Sequence, residues 1–333
     1  MIVFLSYSIV SYACTSFAVF SANNLYGMNF DYPETEIRLV MHKVKDKKAF
    51  TMEFKQGNEF IPFTGMNNEG LFVAVQMLYP SKQGKANLDN NEIYIGELGG
   101  LIGEYERTQQ IEKYIEDKKL VNIPVTIHQL FADKYGDAMV VEVGDDENQV
   151  VKIKDKSMIM TNFPNSNFID KSYKDVNGMG ADRYKTAYEY IEENIDEFNL
   201  ESGWEVLKRT VQASSRYPTQ CSMMFDPEKG EIYIALKRNF DKIWKVSLEK
   251  ETIEGVKGFE EPMEIKIERE GLLVSELLDD TKNIDTISEI DKEIKTSDST
   301  NNLYWILGLG CIVLLFILGR IILENRKVHS KEE

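Results

Sequence analysis

The run SYACTSFAVFSANNLYGMNFDY, residues 11–32, decides how the chain folds. From Thr15 the residues alternate, Ala22-Asn23-Asn24 supplies a turn, and a second run leads to Asp31, so the stretch to about Leu39 reads as a β-hairpin. Cys14 stands at its head. The thirteen mostly apolar residues before it end in Ser11-Tyr12-Ala13, the small-residue spacing of a signal-peptide cleavage site, although a basic leading region is missing. Removal of residues 1–13 would leave Cys14 with a free α-amine beside its thiol. An uncleaved anchor, an interior strand and a lipid-modified cysteine are the other readings of this segment.

An α-amine titrating near about 7.7–8.0 and a thiol near about 8.5 can exchange a proton at neutral pH, directly or through a water. Such a cysteine can attack an amide or ester carbonyl, return the proton to the leaving nitrogen, and leave a thioester for water to cleave. No histidine is required. His42 lies in the basic run HKVKDKK, His128 in a segment that reads as helix, and His329 near the C-terminus.

The rest of the chain punctuates into strands, helices and strands. KKAFTMEF, EFIPFTGM and GLFVAVQMLY read as strands, the last two joined by the turn Asn67-Asn68-Glu69-Gly70. Ile93 to Leu120 and Ile123 to Tyr135 read as helical, with Leu101, Tyr105, Ile111, Tyr114 and Ile115 close to one stripe. Strand signals return in AMVVEV, NQVVKI and KSMIMTNF, followed by two helices between Gly180 and Thr210. CSMMFDP, EIYIALK and DKIWKVSL complete the set, and one further strand or docking segment falls near Met263 to Leu273. This order suggests an α+β arrangement of two sheets with helices outside. Neither a GxGxxG nor a GxxxxGK[ST] loop is present, so nothing points to a nucleotide, and no cofactor or metal is expected.

The 333 residues carry a formal charge of -16 and only three histidines, which argues against nucleic acid as a partner. Cys14, Cys221 and Cys311 are too few for a disulfide framework, while a single Cys14-Cys221 bridge stays open. Residues 303–323 form an apolar run interrupted only by Arg320, long enough to cross a bilayer, with a buried C-terminal helix as the alternative. The basic tail 324–333 would then be cytoplasmic and the body extracellular. Residues 274–302 read as an acid-rich stalk, and 14–273 as the folded domain. The expected partners are therefore a lipid bilayer and a small molecule, with oligomeric state open.

Two further requirements of the chemistry are an anchor for the amine and donors for an oxyanion. Asp31, at the end of the hairpin's second strand, suits the anchor; Asn162 in MIMTNFP suits the donor; Arg216 in SSRYPTQCS offers a charge to lower the thiol pKa. Each has an ordinary alternative, as a turn former, a strand-end cap and a surface ion-pair member. Met28, Gln76, Phe163 and Tyr217 are candidates for an acyl pocket, or for core.

Taken in order, ACTSF, YGMNFDY, GMNNEGLFVAVQ, MTNFP and SSRYPTQCSMMFDPEKGEIYIAL resemble the cysteine branch of the N-terminal-nucleophile hydrolases, over Cys14 to about Leu248. The resemblance is to the linear-amide hydrolases that include choloylglycine (bile salt) hydrolase, penicillin V acylase and isopenicillin-type acyltransferases. It implies a four-layer αββα sandwich and hydrolysis of a linear amide, or acyl transfer by the same thioester. A membrane-tethered binding domain with an inactive site is the alternative of another class. Carried over residue by residue, Cys14 is nucleophile and base, Asp31 its partner, Asn162 a side-chain oxyanion donor and Arg216 a site-shaping cation. Met77 falls where its backbone N–H completes the oxyanion hole, with Gln76 selected by a one-residue slip. The bile salt enzymes have arginine at the place of Met28, and that charge is absent here.

Overall fold

Alternating apolar residues build strands along most of the chain, and the computed structural model describes residues 14–278 except 45, 46, 82, 83, 85, 86, 123, 124, 214 and 215. In chain order the strands are β1 (Thr15–Phe20), β2 (Asn24–Asp31), β3 (Ile37–Val44), β4 (Lys47–Gln56), β5 (Glu59–Asn67), β6 (Phe72–Met77), β7 (Glu92–Tyr94), β8 (Lys119–Val121) and β9 (Ile127–Ala132). There follow β10 (Ala138–Glu142), β11 (Gln149–Lys152), β12 (Ser157–Met160), β13 (Thr219–Asp226), β14 (Glu231–Leu236), β15 (Ile243–Ser247), β16 (Thr252–Lys257), β17 (Glu264–Lys266) and β18 (Leu272–Leu273). The α-helices are α1 (Thr108–Ile115), α2 (Ala181–Asn194), α3 (Leu200–Arg209) and α4 (Val274–Leu278).

One sheet runs β12-β1-β2-β13-β14-β15-β16-β17 and the other β11-β10-β9-β6-β5-β4-β3-β18. Pairing within both is antiparallel, whereas β7 and β8 form a separate parallel pair. Each sheet is apolar on both faces, and this stacks the layers. Between the sheets Ala18, Met28, Phe30 and Met223 join Phe50, Met52, Phe72 and Leu130 in one cluster. On the opposite face of the first sheet, Phe17, Val19 and Leu25 pack with Ala187 and Ile191 of α2 and Trp204 and Leu207 of α3. Beyond the second sheet, Val73, Phe131 and Val141 meet Ile95, Leu98 and Ile102 of a 3-10 helix and Ile111 and Ile115 of α1. At roughly 1.5–3 kcal/mol for each fully buried large apolar side chain, these three seams hold the αββα sandwich together.

The structure departs from the sequence reading in four places. Ile93 to Leu120 is not a continuous helix: Ile95–Gly103 is 3-10 and α1 begins only at Thr108. Glycines at 96, 99, 100 and 103 disfavour α-helix there, although Leu101, Ile111 and Ile115 still reach the core. The second expected helix contains β9, a strand between β6 and β10; an apolar run covered on both faces has no telling period. The folded part extends past residue 273, because α4 buries Val274 and Leu277 in the inter-sheet cluster, and 279–302 of the expected stalk lies outside the described residues.

The membrane assignment is also corrected. Among the described residues no helix is long and apolar enough to cross a membrane. The longest, α2, has 14 residues and at about 1.5 Å each falls well short of a hydrocarbon core of about 30 Å. Residues 303–323 and the tail 324–333, on which the expectation rested, lie outside the described residues, as do residues 1–13. A transmembrane helix, a bilayer partner and a single-pass topology with an extracellular body are therefore not carried forward.

Candidate active site

Strand register brings the first candidates together. Thr15 pairs with Asn29 across β1 and β2, so Cys14, one residue earlier, lies beside Phe30 and next to Asp31. Its side chain points between the sheets and is 5% exposed, with the sulfur 3.9 Å from the backbone oxygen of Asp31. On the other side of β2, Thr219 pairs with Asp31 at a break in the β13 register, and its hydroxyl donates to Asp31 Oδ1 at 2.5 Å. Asp31 is fully buried and its Oδ2 has no partner.

Burial dominates the electrostatics. It pushes the Cys14 thiol up to about 12, reinforced by the Asp31 charge and opposed by the hydrogen bond to the Asp31 carbonyl and by Arg183. Burial likewise raises the Asp31 carboxyl from 3.8 to about 7, against the lowering effects of Arg183, the Thr219 hydroxyl and Arg238. Neither group is an easy anion in this environment.

Asn162 follows β12, which pairs with β1 through Ser16 and Met160. Its side-chain Nδ2 donates to the Met77 carbonyl at 2.7 Å, and its backbone carbonyl accepts from the Tyr79 N–H at 2.8 Å. Met77 is thus held against Asn162, and the two chain segments named from sequence meet here.

The cation at this site is Arg183. Its Nη1 donates to the Cys14 carbonyl and, at 2.9 Å, to Thr15 Oγ1; its Nη2 donates to Asn162 Oδ1 at 2.9 Å. One buried guanidinium therefore joins the cysteine's backbone to the asparagine's amide, a task its planar fork performs and a lysine does not. Sequence reasoning named Arg216 instead, and that residue is exposed; the charges acting on the Cys14 thiol are those of Asp31 and Arg183. A sequence signal for Arg183 did exist. The buried stripe of α2 is Arg183, Ala187 and Ile191 at four-residue spacing, which places an arginine on an inward helix face.

The suggested pocket residues sit differently from one another. Met28 is fully buried in the same inter-sheet cluster as Cys14. Phe163 is 1% exposed and meets the rings of Phe168 and Tyr184 edge-on at 5.2 Å; Tyr217 is also buried. Gln76 bridges the two sheets, its amide 2.5 Å from Ser16 Oγ. A cavity of about 120 Å³ borders Phe163, Phe168, Tyr184 and Tyr188, but its lining includes none of Cys14, Asp31 or Arg183.

Cys14 and Cys221 are both free. Cys221 pairs with Phe30 from the β13 side while Cys14 flanks Phe30 from the β1 side, so a whole strand separates them. Two strand spacings put their Cα atoms about 10 Å apart, beyond the reach of a disulfide. Among the described residues no group of three or more His, Cys, Asp or Glu side chains is arranged to hold a metal ion.

A cysteine at the head of a hairpin in a two-sheet αββα sandwich, tied to a buried aspartate and an asparagine, defines the N-terminal-nucleophile type of protein. The chain belongs to the acyl-coenzyme A:6-aminopenicillanic acid acyl-transferase family, whose model matches residues 20–241, and so to the linear-amide hydrolases and acyltransferases of that superfamily. The match includes Asp31, Asn162 and Arg183 and begins six positions after Cys14. Among solved structures, two variants of conjugated bile acid hydrolase from Clostridium perfringens are 16% identical with a TM-score of 0.55, covering 74% of this chain and 97% of theirs. Penicillin V acylase from Agrobacterium tumefaciens is 12% identical with a TM-score of 0.55, covering 73% of this chain and 91% of its own. These likenesses show a shared fold. No curated protein matches the chain by sequence.

Proposed function

We propose that the protein hydrolyses a linear amide, an N-acyl amine or N-acyl amino acid, through a thioester on Cys14 after removal of residues 1–13. The observation that carries this reading is that Arg183 ties the Cys14 backbone to the Asn162 amide while the Cys14 sulfur lies against the Asp31 carbonyl. Cleavage before Cys14 releases an α-ammonium next to Asp31, whose Oδ2 lacks a partner; the pair would favour the carboxylate and place a proton carrier beside the thiol. In its neutral form the α-amine takes the thiol proton, the thiolate attacks the acyl carbonyl, Asn162 Nδ2 and the Met77 N–H donate to the oxyanion, and the ammonium so formed protonates the leaving nitrogen. Arg183 holds the parts in place. Water then attacks the thioester and regenerates the thiol.

The apolar Met28 beside this centre suits an uncharged acyl group, aliphatic or phenylacetyl-like, in compounds related to bile acid conjugates or penicillin V. Membership of a family described as acyl-transferases favours a second outcome, capture of the same thioester by an amine, which product analysis with added amine distinguishes. In the direct test, Cys14→Ser abolishes most turnover of acyl amides at neutral pH, because an alcohol is the poorer nucleophile. Undiminished cleavage by the folded variant would sink the mechanism.

A further inference from the structure

Across β6, β9 and β10 the inward face of the second sheet is apolar except in its last row. Inward residues run Phe72, Ala74, Gln76 on β6; Ala132, Leu130, His128 on β9; and Ala138, Val140, Glu142 on β10. Gln76 pairs with His128 and His128 with Glu142, so three polar side chains lie side by side, each at most 2% exposed. Buried polar groups persist where hydrogen bonds compensate them, and here the partners are informative.

All three side chains reach the segment that carries Asn162. Glu142 Oε1 accepts from the Asn165 N–H at 2.7 Å and lies 3.2 Å from His128 Nδ1; Oε2 accepts from the Ser166 N–H at 3.2 Å and its hydroxyl at 2.6 Å. Burial pushes the Glu142 carboxyl up, but the bond and charge of His128, the Ser166 hydroxyl and the Asn165 N–H outweigh it and hold the carboxyl below its usual range. His128 Nε2 lies 2.6 Å from the Thr161 carbonyl. With its amide oriented so that both ends are satisfied, Gln76 donates to the same carbonyl at 2.9 Å and accepts from the Ser16 N–H at 3.0 Å and hydroxyl at 2.5 Å. Thr161 precedes Asn162, and Ser16 is two residues after Cys14.

We infer that Gln76, His128 and Glu142 are positioning residues that set the separation between the Cys14 strand and the Asn162 amide. The inference rests on the proposed function only in assigning a catalytic use to that separation. The three side chains clamp Thr161, Asn165 and Ser166 from one sheet, and Gln76 grips the nucleophile's strand from the same row. A displacement of about 1 Å at such a site can cost about 100-fold in rate.

The experiment is a double-mutant cycle on acyl-amide hydrolysis with a parallel crystal structure. His128→Leu lowers kcat about 100-fold with KM little changed, matching the loss of one oxyanion donor, and adds little on top of Asn162→Ala because both act through one group. His128→Gln, which keeps an N–H donor, recovers most of the loss. Losses that multiply in the double variant, or a change confined to KM, would overturn the proposal. In crystals of His128→Leu the Asn162 amide shifts relative to Cys14, and an unmoved amide also overturns it. If the wild type shows no turnover, the proposed function fails while the crystal comparison still decides the clamp. Should His128→Leu fail to fold, Gln76→Met takes its place in the same cycle and the same crystal comparison.

Discussion

Asp31 is a carboxyl group buried with one oxygen unpartnered, and its ionisation carries a cost that can be measured. With its folded pKa raised from 3.8 to about 7, the folded state holds a proton that the unfolded chain releases. Stability from this group is fully present below about pH 4 and is lost as pH rises to about 7, amounting to on the order of 4 kcal/mol. In the chain still carrying residues before Cys14, Asp31→Asn therefore gains on the wild type as pH rises from 4 to 7, and the gain is flat above. Thermal unfolding across this range checks it; a constant difference would show that Asp31 is not the group responsible. At this scale the places of Cys14, Asp31 and Asn162 were readable because each stands at the edge of a strand, Cys14 just before β1, Asp31 at the end of β2 and Asn162 two residues after β12. Arg183 was readable only as an inward arginine on the α2 stripe, because its three contacts are made across the fold, while Arg216 was chosen for its charge and turns out to face solvent.

Helix α2 presents Arg183 because of how it starts. Gly180 caps it at φ +79, a left-handed conformation, and a Cβ there would run into the Arg183 guanidinium and the Thr161 side chain. Gly180→Ala is expected to lose about 1–2 kcal/mol of stability from the backbone alone and to lower turnover as well, by displacing Arg183. Gly136→Ala is the control: its φ is +94 but nothing lies within 4 Å of an added Cβ, so stability falls and kcat stays. Equal retention of kcat in both would separate α2's start from the site. Elements marked by a turn signal, such as β1 and β2 on either side of Ala22-Asn23-Asn24, were legible in the sequence. β9 was not, because both of its faces are covered and IHQLFA carries no period that separates strand from helix. His128 was misplaced with it, and the polar row went unseen.

The described residues set two sheets face to face, and Cys14 lies where the apolar inter-sheet layer meets a row of buried polar residues. That layering followed from the order strands, helices, strands. The meeting of residues 14, 31, 77, 162 and 183 did not, because it depends on sheet order: β1 lies between β12 and β2, and β2 also pairs with β13. The hairpin of β1 and β2 was legible from its turn, but linear sequence states neither β12 nor β13 as its neighbour. The central claim, a thioester on an N-terminal Cys14, is tested most directly by intact mass and peptide mapping of protein quenched during turnover of an N-acyl amide. The expected species begins at Cys14 and carries one acyl group on that residue, labile to hydroxylamine. Full turnover by a chain that still begins before Cys14, or an acyl group mapped elsewhere with Cys14 unmodified, would contradict it.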